Sequence, residues 1–156
     1  ANVDSDGGVT TDDDLLAELD VVVASPHAAL GQGEATDRLI SAVEHPAVDV
    51  LGHPTGRLIN ERAGLSVDFQ RLAEAAAATD TALEVNANPA RLDLHGEAVR
   101  AAVEANAPVA IDTDAHSPAE LDNVRYGVRT ARRGWAEPAD VVNAWADDRL
   151  RSFLDL

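Results

Sequence analysis

Four short apolar runs recur along this chain, and a helix-forming pattern follows each one. The runs are Asp20–Ser25 (DVVVAS), Ala47–Gly52 (AVDVLG), Ala82–Ala87 (ALEVNA) and Pro108–Thr113 (PVAIDT). Each is rich in Val, Ile or Leu, as strands are. Periodicity predicts helices over Glu34–Glu44, Val67–Thr79, Gly96–Asn106, Ala119–Arg133 and Pro138–Trp145, and a short last one near Asp147–Leu154. Thr36, Ser66 and Ser117 signal helix starts, as do Pro118 and Pro138 at first-turn positions. The segment Asp12–Leu19 (DDDLLAEL) reads as a short helix feeding the first strand, and Asp4–Gly8 (DSDGG) as a turn. Strand then helix, repeated, is the signature of parallel βα units. Nearly continuous apolar strands fit a sheet covered on both faces. The expected fold is α/β, with about four parallel βα units.

The 156 residues fit one domain or a large part of one. Hydrophobic residues make up 46%, enough for a core, but aromatics only 3%. The core must therefore come from Ala, Val, Leu and Ile, and a stacking platform for single strands is excluded. No apolar run is long enough to span a membrane. The N-terminal ANVDSDGG has neither a positive region nor an apolar stretch, so it does not read as a signal peptide, and a cytoplasmic setting is expected. Cysteine is absent, which excludes disulfides and thiolate chemistry; any metal must bind through His, Asp or Glu. Net charge is −16, and every basic residue is arginine. A high-GC genome would favour arginine and alanine but does not account for the acid excess. The balance points to a salt-adapted cytoplasm, such as that of a halophilic archaeon. Such a charge opposes non-specific nucleic-acid binding at low salt, but leaves room for a local site where metals neutralise phosphates.

The polar residues fall at strand ends. His27 follows the first run (ASPH), His53 the second (LGHPTGR), and Asp114 and His116 the fourth (DTDAH); the third ends in Asn86 and Asn88 (EVNANP). In a parallel sheet or barrel those ends share one rim, where active sites are built from several strands. Imidazoles and carboxylates brought together there suit a Zn, Mn or Fe site. A lone histidine beside a strand is usually structural; the shared rim makes a common metal site the stronger reading for His27, His53, Asp114 and His116. His45, before Pro46 at the opposite rim, and His95, in a turn before a helix, are expected on the surface. Asp112 falls within its strand and reads as structural. Arg57 could grip a phosphate bidentately or pair with Glu61. Asn88 could face substrate or cap the turn before Pro89. Arg125, Arg129, Arg132 and Arg133 share a helical face, read here as a solvated stripe. No G-x-S-x-G elbow, P-loop or dinucleotide fingerprint occurs.

Together ASPH, LGHPTGR, LEVNANP-RLDL, DTDAHS and YGVRTARRGW resemble the PHP (polymerase and histidinol phosphatase) domain, in the version attached to family X DNA polymerases of bacteria and archaea. The resemblance runs from Asp4 onward. It implies a distorted (β/α)7 TIM-like barrel, of which this chain would be the C-terminal portion, with up to three divalent metals (Zn, Mn or Fe) at the C-terminal rim. By motif, His27 and His53 would ligate one metal, Asp114 its neighbour and His116 the third, with Arg57 near the substrate phosphate. The family's H-x-H motif, further histidines and bridging glutamate are absent from this chain; the glutamate would directly precede Ala1. The implied activity is 3′–5′ exonuclease or DNA 3′-end processing, weak or absent in this portion alone. A histidinol-phosphate-type phosphatase and a non-catalytic structural or docking remnant are the alternatives. Expected partners are a DNA 3′ end or small phosphoester, polymerase domains in the parent protein, and another copy through an open barrel edge.

Overall fold

The computed structural model of the chain describes residues 1–27, 30 and 34–156. Five strands, β1 Asn2–Val3, β2 Val23–Pro26, β3 Val50–Leu51, β4 Ala82–Asn86 and β5 Val109–Asp112, form one sheet. All pairings are parallel, and the order in the sheet is the order in the chain. Parallel crossovers are right-handed. When every crossover leads to the next neighbour, all helices land on one face and the sheet curls around the other. A doubly wound sheet would instead reverse its order at a switch point. The arrangement is therefore an arc of a TIM-like barrel, as expected.

The helices are α1 Asp13–Leu16, α2 Thr36–Val43, α3 Phe69–Thr79, α4 Gly96–Ala105, α5 Val124–Arg133 and α6 Asp147–Phe153. Alternation along each strand sorts its side chains between two faces. The outer face presents Leu51, Leu83, Val85, Val109 and Ile111 to Leu39, Leu72, Val99 and Ala131 of the helices. The inner face presents Val50, Ala82 and Ala110 near the strand starts, where Val142, Trp145, Leu150 and Phe153 cover them. Towards the C-terminal ends the buried strand residues become polar: Ser25, Glu84 and Asn86. The final segment thus plugs one end of the arc with two of the chain's few aromatic rings and leaves the other end to chemistry.

Several expectations change in detail. β1 was not foreseen, since two residues carry no readable period. The helix expected over Pro138–Trp145 is two 3₁₀ turns, Pro138–Asp140 and Val142–Ala144. Val141 between them is extended (φ −107°, ψ 113°) and bridges Val109 at the edge of β5. The pattern Ala119–Arg133 begins as a 3₁₀ turn, Pro118–Asn123, before α5 takes over. Asp68, not Ser66, caps α3: its carboxylate accepts from the Gln70 and Arg71 amides. His95 is not a simple surface residue. It caps α4, its Nδ1 accepting from the Ala98 amide at 3.3 Å, and packs edge-on to Phe69 at 5.1 Å. The sheet edges are also less open than expected. Val9 bridges the outer side of β1, and the Asn143 side chain accepts from the Ile111 amide at 2.7 Å on β5. Among the described residues no helix is long and apolar enough to cross a membrane.

Candidate active site at the C-terminal rim

His53 leaves β3 with φ 27° and is only 7% exposed. Its amide donates to the Glu84 carboxyl on the adjacent strand, a contact shorter than an ordinary hydrogen bond. Its Nδ1 is buried and has no protein partner. Burial, reinforced by the Arg91 charge and then by His27, pulls its pKa down to about 4. The ring is therefore neutral at physiological pH, the state a metal requires.

His27 lies beside it, the ring centroids 5.0 Å apart in edge-to-face contact. Its pKa is lowered too, by burial first and Arg91 next. Its Nδ1 lies 2.6 Å from the Asn2 side-chain oxygen at the start of β1. An amide oxygen only accepts, so Nδ1 carries the proton and Nε2 presents its lone pair. His116 is exposed, and its Nδ1 lies 2.8 Å from the Asp114 carbonyl. The same argument leaves its Nε2 as the free acceptor.

Asp114 is held at φ 49°, its amide donating to the Asp112 carboxylate at 3.2 Å. Its charge acts on both His27 and His53. Its own carboxylate pairs with Arg91 at 3.4 Å. The structure thus brings His27, His53 and Asp114 around Arg91, and places His116 just outside them on the Asp114 backbone. Among the described residues, no three His, Asp or Glu side chains converge on one metal position.

Arg57 points elsewhere. Its Nε donates to the Arg91 carbonyl at 2.6 Å, and one terminal nitrogen donates to the Leu92 carbonyl in a still shorter contact. It pairs with no acid among the described residues, Glu61 included. Asn88 caps its own turn, its side-chain oxygen accepting from the Ala90 amide at 3.0 Å.

The chain is similar to proteins named as enzymes. The chain is 46% identical, over 96% of its length, to the "DNA polymerase/3'-5' exonuclease PolX" of Bacillus subtilis. It is 25% identical to a "Probable phosphatase" of Syntrophotalea carbinolica and 29% identical to another of Caldanaerobacter subterraneus subsp. tengcongensis, each over 99% of its length. These similarities fit the resemblance to the PHP domain attached to family X polymerases. It spans 26% of the polymerase's length, and 66% and 63% of the two phosphatases'. No family model matches the chain.

Two features of this rim escaped the sequence reading. Arg91 is the first: half of its role is visible in the paired Asp114, and its Nη1 is buried with no protein partner. Its signal was its place as the lone cation in the loop after β4. The second is Glu84, the one acid in β4. Burial first, and then a hydrogen bond with Asp112, push its pKa up and favour its neutral form. It holds the His53 amide from below. Asp93 does similar work for the next loop, accepting from the Thr55 amide at 3.0 Å and the Thr55 hydroxyl at 2.9 Å.

Proposed function

We propose that this PHP chain is part of a metal-dependent phosphoesterase acting on DNA 3′ ends, as the 3′–5′ exonuclease or end-processing domain of a family X polymerase. The observation that carries this is the pair of neutral, touching imidazoles beside the Asp114–Arg91 pair, on the rim of a chain 46% identical to a PolX. The donors suit a divalent Zn, Mn or Fe ion. His53 keeps a buried nitrogen with no protein partner, and His27 and His116 have their other nitrogens tied by acceptors. A bound metal there supplies a water of lowered pKa and positive charge against the phosphoryl oxygens.

The chain's own residues have distinct roles. His27, His53, Asp114 and His116 hold metal. Arg91, with a free buried N–H, takes a phosphoryl oxygen. Arg57 acts through Arg91, fixing the backbone that carries it, and Asn88 shapes the same turn. Since three donors do not converge within the described residues, other parts of the PHP domain supply the remaining ligands, and the polymerase domains of the parent deliver the DNA. The isolated chain should bind metal weakly and hydrolyse slowly.

The names of two relatives favour a second reading, a small-molecule phosphatase. Release of nucleotides from a 3′-recessed duplex, compared with release of phosphate from a monoester, both with Mn²⁺, separates the two. Equilibrium dialysis against Zn²⁺ and Mn²⁺ tests the site itself. Binding that disappears in His53→Ala supports it; no bound metal and no thermal shift at high metal would leave a structural remnant instead.

A further inference from the structure

Arg125, Arg129, Arg132 and Arg133 recur on α5 at a spacing that keeps them on one face. The opposite face, Gly127, Thr130 and Ala131, is buried. Gly127 lies so close to the sheet that an added Cβ would sit 2.6 Å from a methyl of Ile111. This packing aims the four arginines straight out into solvent, and all four are exposed.

In so acidic a protein an exposed arginine should readily find a carboxylate. Arg71, Arg100 and Arg151 do, and the exposed Arg149 instead stacks over the Trp145 ring. None of the four on α5 forms an ion pair among the described residues. Two of the nearby acids are engaged elsewhere. Glu120 accepts from the His116 amide and the Ser117 hydroxyl, and Asp140 accepts from the Glu137 amide. Among the described residues Arg125 has only the neighbouring Tyr126 hydroxyl, at 3.2 Å, and that ring.

We propose that this face of α5 is a docking strip for the phosphate backbone of a DNA strand that reaches the rim. The proposal rests on the DNA-directed reading above. Charge complementarity selects the partner: a cationic strip on a surface that elsewhere repels polyanions both binds a strand and orients it. The strip begins beside the site, since α5 follows the β5 end that carries Asp114 and His116. From Arg125 to Arg133 it runs about 12 Å along the helix axis. That matches roughly three phosphates of one strand at about 3.4 Å each along a duplex.

The test is fluorescence anisotropy of a labelled 3′-recessed duplex titrated with the chain in EDTA, from about 50 to 200 mM salt. Wild type should bind with a steep salt dependence. The triple variant Arg125→Gln/Arg129→Gln/Arg132→Gln should lose more than about tenfold in affinity at the lowest salt, with the log–log salt slope reduced by about 2 to 3. The corresponding triple Arg→Lys variant should keep the slope, and Arg151→Gln on α6 should behave as wild type. If the triple Gln variant fails to fold by circular dichroism, Arg129→Gln and Arg132→Gln singly carry the test, each lowering the slope by about 1. No binding by wild type, or unchanged affinity and slope in the Gln variants, overturns the proposal and leaves the face to a protein partner. Metal is absent from these titrations, so they stand apart from the rim chemistry. Hydrolysis of a short nitrophenyl diester by wild type with Mn²⁺ tests the rim alone, because that substrate is too small to reach α5.

Discussion

Burial keeps the His53 imidazole neutral far below the pH where a free histidine charges, and that has a consequence for stability. In the metal-free chain the unfolded state takes up a proton below about pH 6.5, whereas the folded state does so only near pH 4. The stability due to neutral His53 is thus complete above pH 6.5 and is lost as pH falls towards 4. The loss should approach about 3 kcal/mol, because each tenfold difference in proton affinity between the two states is worth about 1.4 kcal/mol. Denaturation curves in EDTA at pH 7 and pH 4.5, for wild type and His53→Gln, should show the variant losing markedly less between them. Equal losses would mean His53 is not the buried titrating group. Glu84 acts with the opposite sign: its stabilisation is fullest below its unfolded pKa and declines as pH rises towards its raised folded value. Arg91 is testable at the same scale. Its charge lowers the pKa of both imidazoles, so Arg91→Gln should make both His27 and His53 titrate at higher pH by NMR. Titration unchanged at both rings would remove Arg91 from the site. These two residues also mark what the sequence could convey. Histidines at strand ends announce themselves because few structural needs place them there. An arginine in a turn, or one acid inside a strand, has no spacing to betray it; only the neighbouring strand shows what it touches.

The elements were legible where their periods were long. β4 and β5, with the helices on either side, stand close to where the apolar runs put them. β3 shortens to Val50–Leu51, and the next residue, Gly52, lies so close to Ser25 that a Cβ would meet the serine hydroxyl at 2.2 Å. The segment after α5 misled because its helix-like spacing is overridden by the pairing of Val141 with β5, a tertiary contact that no local pattern encodes. The helix–sheet contact at Gly127 gives this scale its own prediction. Alanine there gains helix propensity worth about 1 kcal/mol. Its methyl must also displace Ile111 and Ala87, at 2.6 and 2.9 Å. Overpacking of that kind costs about 1–3 kcal/mol, so Gly127→Ala should be neutral to destabilising despite the better propensity. A Gly127→Ala chain melting well above wild type would show that α5 does not sit so close to the sheet.

At the scale of the whole molecule the dominant fact is charge. A net −16 on 156 residues makes the compact state repel itself more than the expanded chain does. The ion pairs that could offset this are mostly exposed, as Arg71–Asp37 and Arg151–Asp147 are, and pairs of that kind contribute little. The buried core offers no compensation in bulk, being built mainly of Ala, Val and Leu. The fold should therefore depend on its ionic surroundings. The Debye length falls from about 10 Å at 0.1 M to about 3 Å at 1 M. If self-repulsion is the destabilising force, melting temperature should climb steeply over that range, by roughly 5–15 °C, and then level off once screening is complete. A rise that continues linearly to several molar would instead mean that the salt acts through exclusion from the protein surface, as kosmotropes do. Melting curves in KCl from about 0.05 to 3 M distinguish these outcomes by shape as well as size. A flat profile would remove charge repulsion from the account and, with it, the inference that this chain evolved for a salt-rich interior.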